Sequence, residues 1–131
     1  MSSLPLDPAA PLWDLSYLLE QLGGDSEDLA VARELARTFV ARFPESLRDL
    51  EQALATGEAA LLARVAHQIK GICAIFAAAP CVARAQRLET LAGAGEMATA
   101  LVEGRELLQM LRLLVVEIGN FAAGPLEPGV E

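Results

Sequence analysis

The chain contains one histidine and one lysine, His67 and Lys70, which lie three residues apart. On an α-helix this spacing places the two side chains on the same face, about one turn apart. Gly71 follows on that face, although a glycine inside a helix costs roughly 1 kcal/mol relative to alanine. A neutral imidazole carries one N–H and one lone pair, so it can serve as a nucleophile. The glycine leaves bare backbone beside it, which would let a second molecule approach closely.

The residues around His67 divide into two helical faces. A helical wheel of residues 58–78 places an apolar stripe opposite the histidine, formed by Leu62, Val65, Ile69, Ile72 and Phe76. The histidine side carries small and basic residues, namely Ala60, Ala63, Arg64, Lys70, Gly71, Ala74 and Ala78. A chance surface histidine is the plain alternative. The coincidence of the lysine, the glycine and the small residues favours a functional site.

The overall charge excludes several classes of partner. A formal net charge of -8 argues against nucleic acid and against anionic lipid, which both require a basic surface. Arg64 and Lys70 nevertheless form a small positive spot around His67 that could hold an anion.

No apolar run reaches the roughly 18 residues of a membrane span, and residues 1–11 lack the features of a signal peptide. We therefore expect a cytoplasmic protein that does not bind membranes. Met1 and the frayed ends favour a free-standing protein, while origin from a larger protein stays open.

Apolar spacing and helix breakers predict five helices. Gly23 and Gly24 end the first helix, and Asp25 or Ser26 caps the second, in which Pro44 predicts a kink or a break near Phe43. The predicted helices cover residues 12–22, 26–56, 58–78, 80–92 and 96–121. We divide the chain into a flexible lead-in at 1–11, one helical domain at 12–121 and a flexible tail at 122–131.

These elements predict an all-α fold, an antiparallel four-helix bundle with a short additional N-terminal helix. A composition that is 53% hydrophobic but only 5% aromatic is typical of packed helices. One bundle can bury its own core, so we expect a monomer. Cys73 and Cys81, without further zinc ligands, are expected to be reduced thiols packed in the core.

The string Ala66-His67-Gln68-Ile69-Lys70-Gly71 resembles the A-H-x-L-K-G signature of histidine phosphotransfer (HPt) domains, which act in two-component phosphorelays. The resemblance extends over residues 12–121. It includes Gly-Gly-Asp at 23–25, Phe-Pro-Glu at 43–45 and Leu-Glu at 88–89. It implies a protein that accepts a phosphoryl group from an aspartyl phosphate of one receiver domain and passes it to an aspartate of another.

The resemblance also implies roles for individual residues. His67 becomes the phosphorylated residue, Lys70 helps to hold the phosphoryl oxygens, and Glu89 hydrogen-bonds the imidazole from the neighbouring helix, where the family has glutamate or glutamine. A carboxylate that accepts the Nδ1 proton would leave Nε2 outward as the nucleophile. Receiver docking is expected from residues on the same surface, which are Arg64, Gln68, Gly71, Ala74 and Ile75.

The expected partners are response-regulator receiver domains and a sensor or hybrid histidine kinase. We assign no metal site and no cofactor to this chain, and expect Mg²⁺ to be supplied by the receiver. Ile72 and Cys73 depart from the family pattern of small polar residues after the glycine, which predicts altered packing with the site retained. Ile75 is predicted to belong to a hydrophobic docking rim that selects the receiver.

Other functions are compatible with a helical bundle. A non-catalytic adaptor would bind receivers or kinases without carrying phosphate, and loss of the histidine, lysine or glycine would indicate it. A single histidine excludes a di-iron bundle, and the absence of a glycine-rich nucleotide loop argues against an ATP-dependent kinase. Glu89 has its own plain alternative, a solvated charge on the fourth helix.

Overall fold

The computed structural model describes residues 11–24 and 26–124, and this part of the chain forms five α-helices and no strand. They are α1 (Leu15–Leu22), α2 (Ser26–Thr56), α3 (Ala59–Ile75), α4 (Ala79–Gly93) and α5 (Met97–Ala122). Connections of two or three residues join α2 to α5 in sequence, so successive helices run antiparallel. The main packing partners are α3 with α4 and α2 with α5, while α1 lies against α2. The prediction of a four-helix bundle with a short N-terminal helix is confirmed.

The start of α1 differs from the prediction. The helix begins at Leu15 rather than at residue 12, because the Asp14 side chain caps it by accepting a hydrogen bond from the Tyr17 N–H. The preceding residues still contribute to the core. Leu12 is buried, and the Trp13 ring packs edge-on against Phe76 with 5.9 Å between ring centroids. The apolar pattern that predicted a helix from residue 12 therefore includes residues that pack in the core but are not helical.

The other end of α1 follows the predicted glycine pair. Gly23 has a φ of 119° and Gly24 a φ of 85°, values that residues with a side chain rarely adopt. Their N–H groups bond to the carbonyls of Glu20 and Leu19, which ends the helix. The side chains of Asp25 and Ser26, one of which was predicted to cap α2, lie outside the described part of the structure.

Of the kink or break predicted near Phe43, the break is wrong, since α2 continues through Pro44 without interruption, and the kink stays a prediction. A proline lacks its own N–H and its ring crowds the carbonyl one turn earlier, so at Pro44 α2 loses the single bond to the carbonyl of Val40. Buried aromatic rings hold this part of the helix in the core. Phe39 and Phe43 are stacked with 4.5 Å between their centroids, directly before the proline. This packing outweighs the local preference for a helix end.

The end of α3 is also corrected, because the helix stops at Ile75 and not at residue 78. Ala77 adopts a φ of 51°, and the Ala78 N–H bonds back to the Cys73 carbonyl at 3.0 Å. The chain therefore turns inward. Ala78 is fully buried rather than on the histidine face, as the wheel had placed it. Among the predicted core positions, Ile72 is only partly buried.

The bundle core is built mainly from leucine, alanine and a few aromatic residues. The large side chains with the least exposure are Phe43, Leu50, Leu62, Ile69, Leu88, Leu107, Leu111, Leu114 and Ile118. Cys73 and Cys81 are buried free thiols, as predicted, and their mutual contact and burial raise the pKa of Cys73. Within the described residues, no helix has both the length and the apolar content needed to cross a bilayer.

Candidate functional site

The site lies on the outer surface where α3 and α4 pack side by side. Ile69 on α3 and Leu88 on α4 are fully buried, and they fix the two helices against the core. Their neighbours in sequence consequently face outward. His67 and Lys70 project from α3, and Glu89 projects from α4. The packed pair of helices thus orients these three polar side chains toward solvent. His67 stands furthest out, with 65% of its side chain exposed.

The Glu89 carboxylate contacts the side chains of both His67 and Lys70. Its Oε2 lies 3.0 Å from Nδ1 of His67, and its Oε1 accepts a hydrogen bond of 2.8 Å from Nζ of Lys70. The Lys70 hydrogen bond and charge, and to a smaller degree the contact with His67, hold the pKa of Glu89 below its usual range. An ionised carboxylate can only accept. The neutral imidazole therefore carries its proton on Nδ1 and keeps the lone pair on Nε2.

Lys70 has a second acceptor that the sequence analysis did not identify. Its ammonium donates to Oε1 of Gln86 at 2.7 Å, and only 24% of the lysine side chain is exposed. Gln86 precedes Glu89 by three residues, so both lie on the same face of α4. That spacing is the signal that could have identified it. Within the described part of the chain, two of the three N–H donors of Lys70 are thus engaged, and one is left for a further ligand.

Four of the five predicted docking residues surround His67 on the α3 surface. Arg64, Gln68, Gly71 and Ala74 are all exposed. A Cβ added to Gly71 would meet nothing within 4 Å, so the space above this glycine is open. Arg64 and His67 also line a shallow depression with Ala63 and Glu89.

The fifth docking residue, Ile75, lies two turns beyond His67 and borders an apolar groove between α2 and α3. Its side chain is 54% exposed. The groove has a volume of about 230 Å³, and its lining includes Leu35, Phe39 and Ile72. Exposed apolar surface of this kind is what protein partners often cover.

The described residues contain no group of three or more histidine, cysteine, aspartate or glutamate side chains that could hold a metal ion. The site instead consists of the Nε2 nitrogen of His67, which has a lone pair, the Glu89 carboxylate that orients the imidazole, and the nearby Lys70 ammonium. This arrangement can accept a group that carries negative charge, because positioning and charge compensation are what such a transfer needs.

Comparison with known proteins gives one match. A protein-family model described as Hpt domain matches residues 34–117, which is more than half of the chain and contains His67, Lys70 and Glu89. No curated protein and no solved structure matches the chain.

Proposed function

The chain belongs to the Hpt domain family, and on that premise we propose that it is a histidine-containing phosphotransfer protein of a phosphorelay. It accepts a phosphoryl group on His67 from the aspartyl phosphate of one receiver domain and passes it to an aspartate of another. The observation that carries the proposal is the 3.0 Å contact between Glu89 Oε2 and His67 Nδ1. It leaves Nε2 as the free nucleophile on an exposed side chain.

In the transfer step, the Nε2 lone pair of His67 attacks phosphorus. The P–N bond forms while the bond between phosphorus and the aspartyl oxygen breaks, and the electron pair leaves with the receiver carboxylate. The imidazole keeps its Nδ1 proton and becomes cationic. Glu89, 3.0 Å away, stabilises that positive charge. Transfer to the second receiver is the same step in reverse, and Mg²⁺ belongs to the receiver in this proposal.

Lys70 and Arg64 compensate the charge of the incoming group. Lys70 keeps one N–H donor beyond its bonds to Gln86 and Glu89. The open space above Gly71 is where the receiver backbone comes close. Arg64, Gln68, Ala74 and Ile75 form the surrounding docking surface, and the exposed apolar side chain of Ile75 contributes to the choice of receiver.

The proposed partners are response-regulator receiver domains and a sensor or hybrid histidine kinase, which is the setting in which Hpt domains act. We propose a monomer, because the α2–α5 bundle buries a core of its own. We also propose a cytoplasmic location, where the free thiols of Cys73 and Cys81 would remain reduced.

The test is phosphoryl transfer from a purified receiver domain that has been phosphorylated with acetyl phosphate. With a radiolabelled phosphoryl group on the receiver, wild-type protein should take up label that is lost in acid and stable in base, which is the behaviour of phosphohistidine. The His67→Gln variant should take up no label. Circular dichroism of both proteins controls for folding. Absence of label on folded wild-type protein with every receiver tried would reject phosphotransfer in favour of a non-catalytic adaptor.

A further inference from the structure

Gln86 is held in one orientation by partners on both sides of its amide. Its Oε1 accepts from Lys70 at 2.7 Å, and its Nε2 donates to the Thr90 hydroxyl at 3.2 Å. An ammonium can only donate, so Lys70 requires the amide oxygen to face it. Thr90 lies one helical turn further along α4 and engages the amide nitrogen at the same time. The two contacts together fix which way the amide points.

Lys70 in turn connects Gln86 to the carboxylate that contacts His67. A lysine side chain is flexible and loses substantial rotamer entropy when it is held in place. Here the ammonium bridges Gln86 Oε1 and Glu89 Oε1, so two acceptors on α4 restrain it instead of one. With Oε1 of Glu89 occupied by Lys70, Oε2 is the oxygen that faces Nδ1 of His67. The contacts form one continuous series from Thr90 to His67.

We propose that Gln86 is a positioning residue for phosphoryl transfer at His67, because it retains Lys70 in the bridge that turns Glu89 Oε2 toward Nδ1. Among the hydrogen bonds of the described residues, those of Gln86 go to Lys70 and Thr90 and none goes to the imidazole. Gln86 acts through Lys70 and Glu89. The inference rests on the proposed function for its catalytic meaning, while its structural content concerns the unphosphorylated protein and can be tested there.

The experiment compares wild type with Gln86→Met, which removes the acceptor and keeps a side chain of similar length. Since the chain has a single histidine, ¹⁵N-detected NMR shows the tautomer of His67 directly. At about pH 9, well above the usual imidazole range, wild type should be mainly the Nδ1–H tautomer, and Gln86→Met should shift toward Nε2–H. The rate of phosphorylation by phosphoramidate, a small donor that needs no docking surface, should fall roughly three- to tenfold.

Two variants give the proposal its specificity. Gln86→Glu keeps an oxygen acceptor for Lys70, so it should retain the wild-type tautomer and a rate within about twofold of wild type, well short of a tenfold change. Gln109→Met makes the same chemical change at an exposed position on α5 and should alter neither readout.

An unchanged tautomer in Gln86→Met overturns the inference, whether or not the rate falls, and so does an equal loss in Gln86→Glu. Wild-type protein that takes no phosphoryl group from phosphoramidate or from a receiver would instead reject the proposed function. The tautomer comparison would still decide the positioning role of Gln86.

Discussion

Replacing Glu89 by glutamine tests the contacts of this site, because they predict a larger effect on phosphoryl transfer than the family resemblance does. The family resemblance implies glutamate or glutamine at this position, so the resemblance alone predicts a mild effect. In this chain Lys70 donates to one oxygen of Glu89. A glutamine has only one oxygen, and Lys70 would claim it because an ammonium cannot accept. The amide N–H₂ would then face Nδ1, move the imidazole proton to Nε2 and remove the nucleophilic lone pair.

The size of the effect follows from the distance between the two groups. At the 3.0 Å that separates Glu89 Oε2 from His67 Nδ1, two unit charges attract by about 1.4 kcal/mol even at the dielectric constant of bulk water. The 65% exposure of the His67 side chain makes this water-like limit the appropriate one. Loss of that stabilisation of the cationic phosphohistidine slows transfer about tenfold, and the change of tautomer adds to it.

The assay is the initial rate of label transfer from a phosphorylated receiver domain to wild type, Glu89→Gln, Lys70→Met and the double variant. Removing Lys70 frees the new amide oxygen to face Nδ1, so the double variant should transfer faster than Glu89→Gln alone. A faster rate in the double variant would show that Lys70 and Glu89 are energetically coupled, because the effects of independent sites simply add. A Glu89→Gln variant that transfers within twofold of wild type, or a double variant that is no faster than Glu89→Gln, would refute the reasoning.

Four further predictions follow from the same contacts. Ile75→Asp should weaken receiver binding measured by calorimetry without changing the melting temperature, whereas Val102→Asp, an equally exposed apolar position on α5, should leave binding unchanged. Gly71→Ala should raise the free energy of unfolding in urea by up to about 1 kcal/mol, since its Cβ meets nothing. It should slow transfer from a receiver but not from phosphoramidate. Leu111→Ala, at a fully buried position, should cost about 2–5 kcal/mol in the same unfolding experiment. Because Lys70 lowers the pKa of Glu89 in the folded state, the ion pair stabilises the protein above the ordinary glutamate range. The stability difference between wild type and Glu89→Gln, followed by urea unfolding, should shrink as pH falls through that lowered pKa.

The helices could be predicted from sequence wherever periodicity and a breaker agreed. Gly23 and Gly57 were correctly predicted to end helices. Both adopt a positive φ, which glycine tolerates because it has no Cβ. The possible break at Pro44 and the end of α3 were predicted wrongly for the same reason, because packing overrides a local signal in both places. At Pro44 the buried rings of Phe39 and Phe43 overrode a local signal, and at Ala78 a residue with strong helix propensity sits in a turn fixed by tertiary contacts.

The site was predictable only in part. The outward face of His67 and Lys70 follows from the α3 wheel, because burial of Ile69 and Val65 determines it. Glu89 came from the family resemblance, since the spacing of 22 residues does not specify how α4 lies across α3. Gln86 was missed because a glutamine on a solvated helix face looks like any other surface residue. Its spacing of three residues from Glu89 places it on the same face of α4, and the hydrogen bond to Lys70, across two helices, then distinguishes it from other surface glutamines.

The position of Lys70 bears on how a protein with a net charge of -8 can accept a phosphoryl group. In the unphosphorylated site the ammonium neutralises Glu89, so the lysine charge is already in use. If His67 accepts a phosphoryl group on Nε2, the imidazole becomes a cation with Glu89 as its neighbour. Glu89 then has a second positive partner, and Lys70 can turn toward the phosphoryl oxygens without leaving a bare carboxylate. Under the proposed function, the reaction thus frees the charge of Lys70 for the phosphoryl oxygens, in addition to the charge of Arg64.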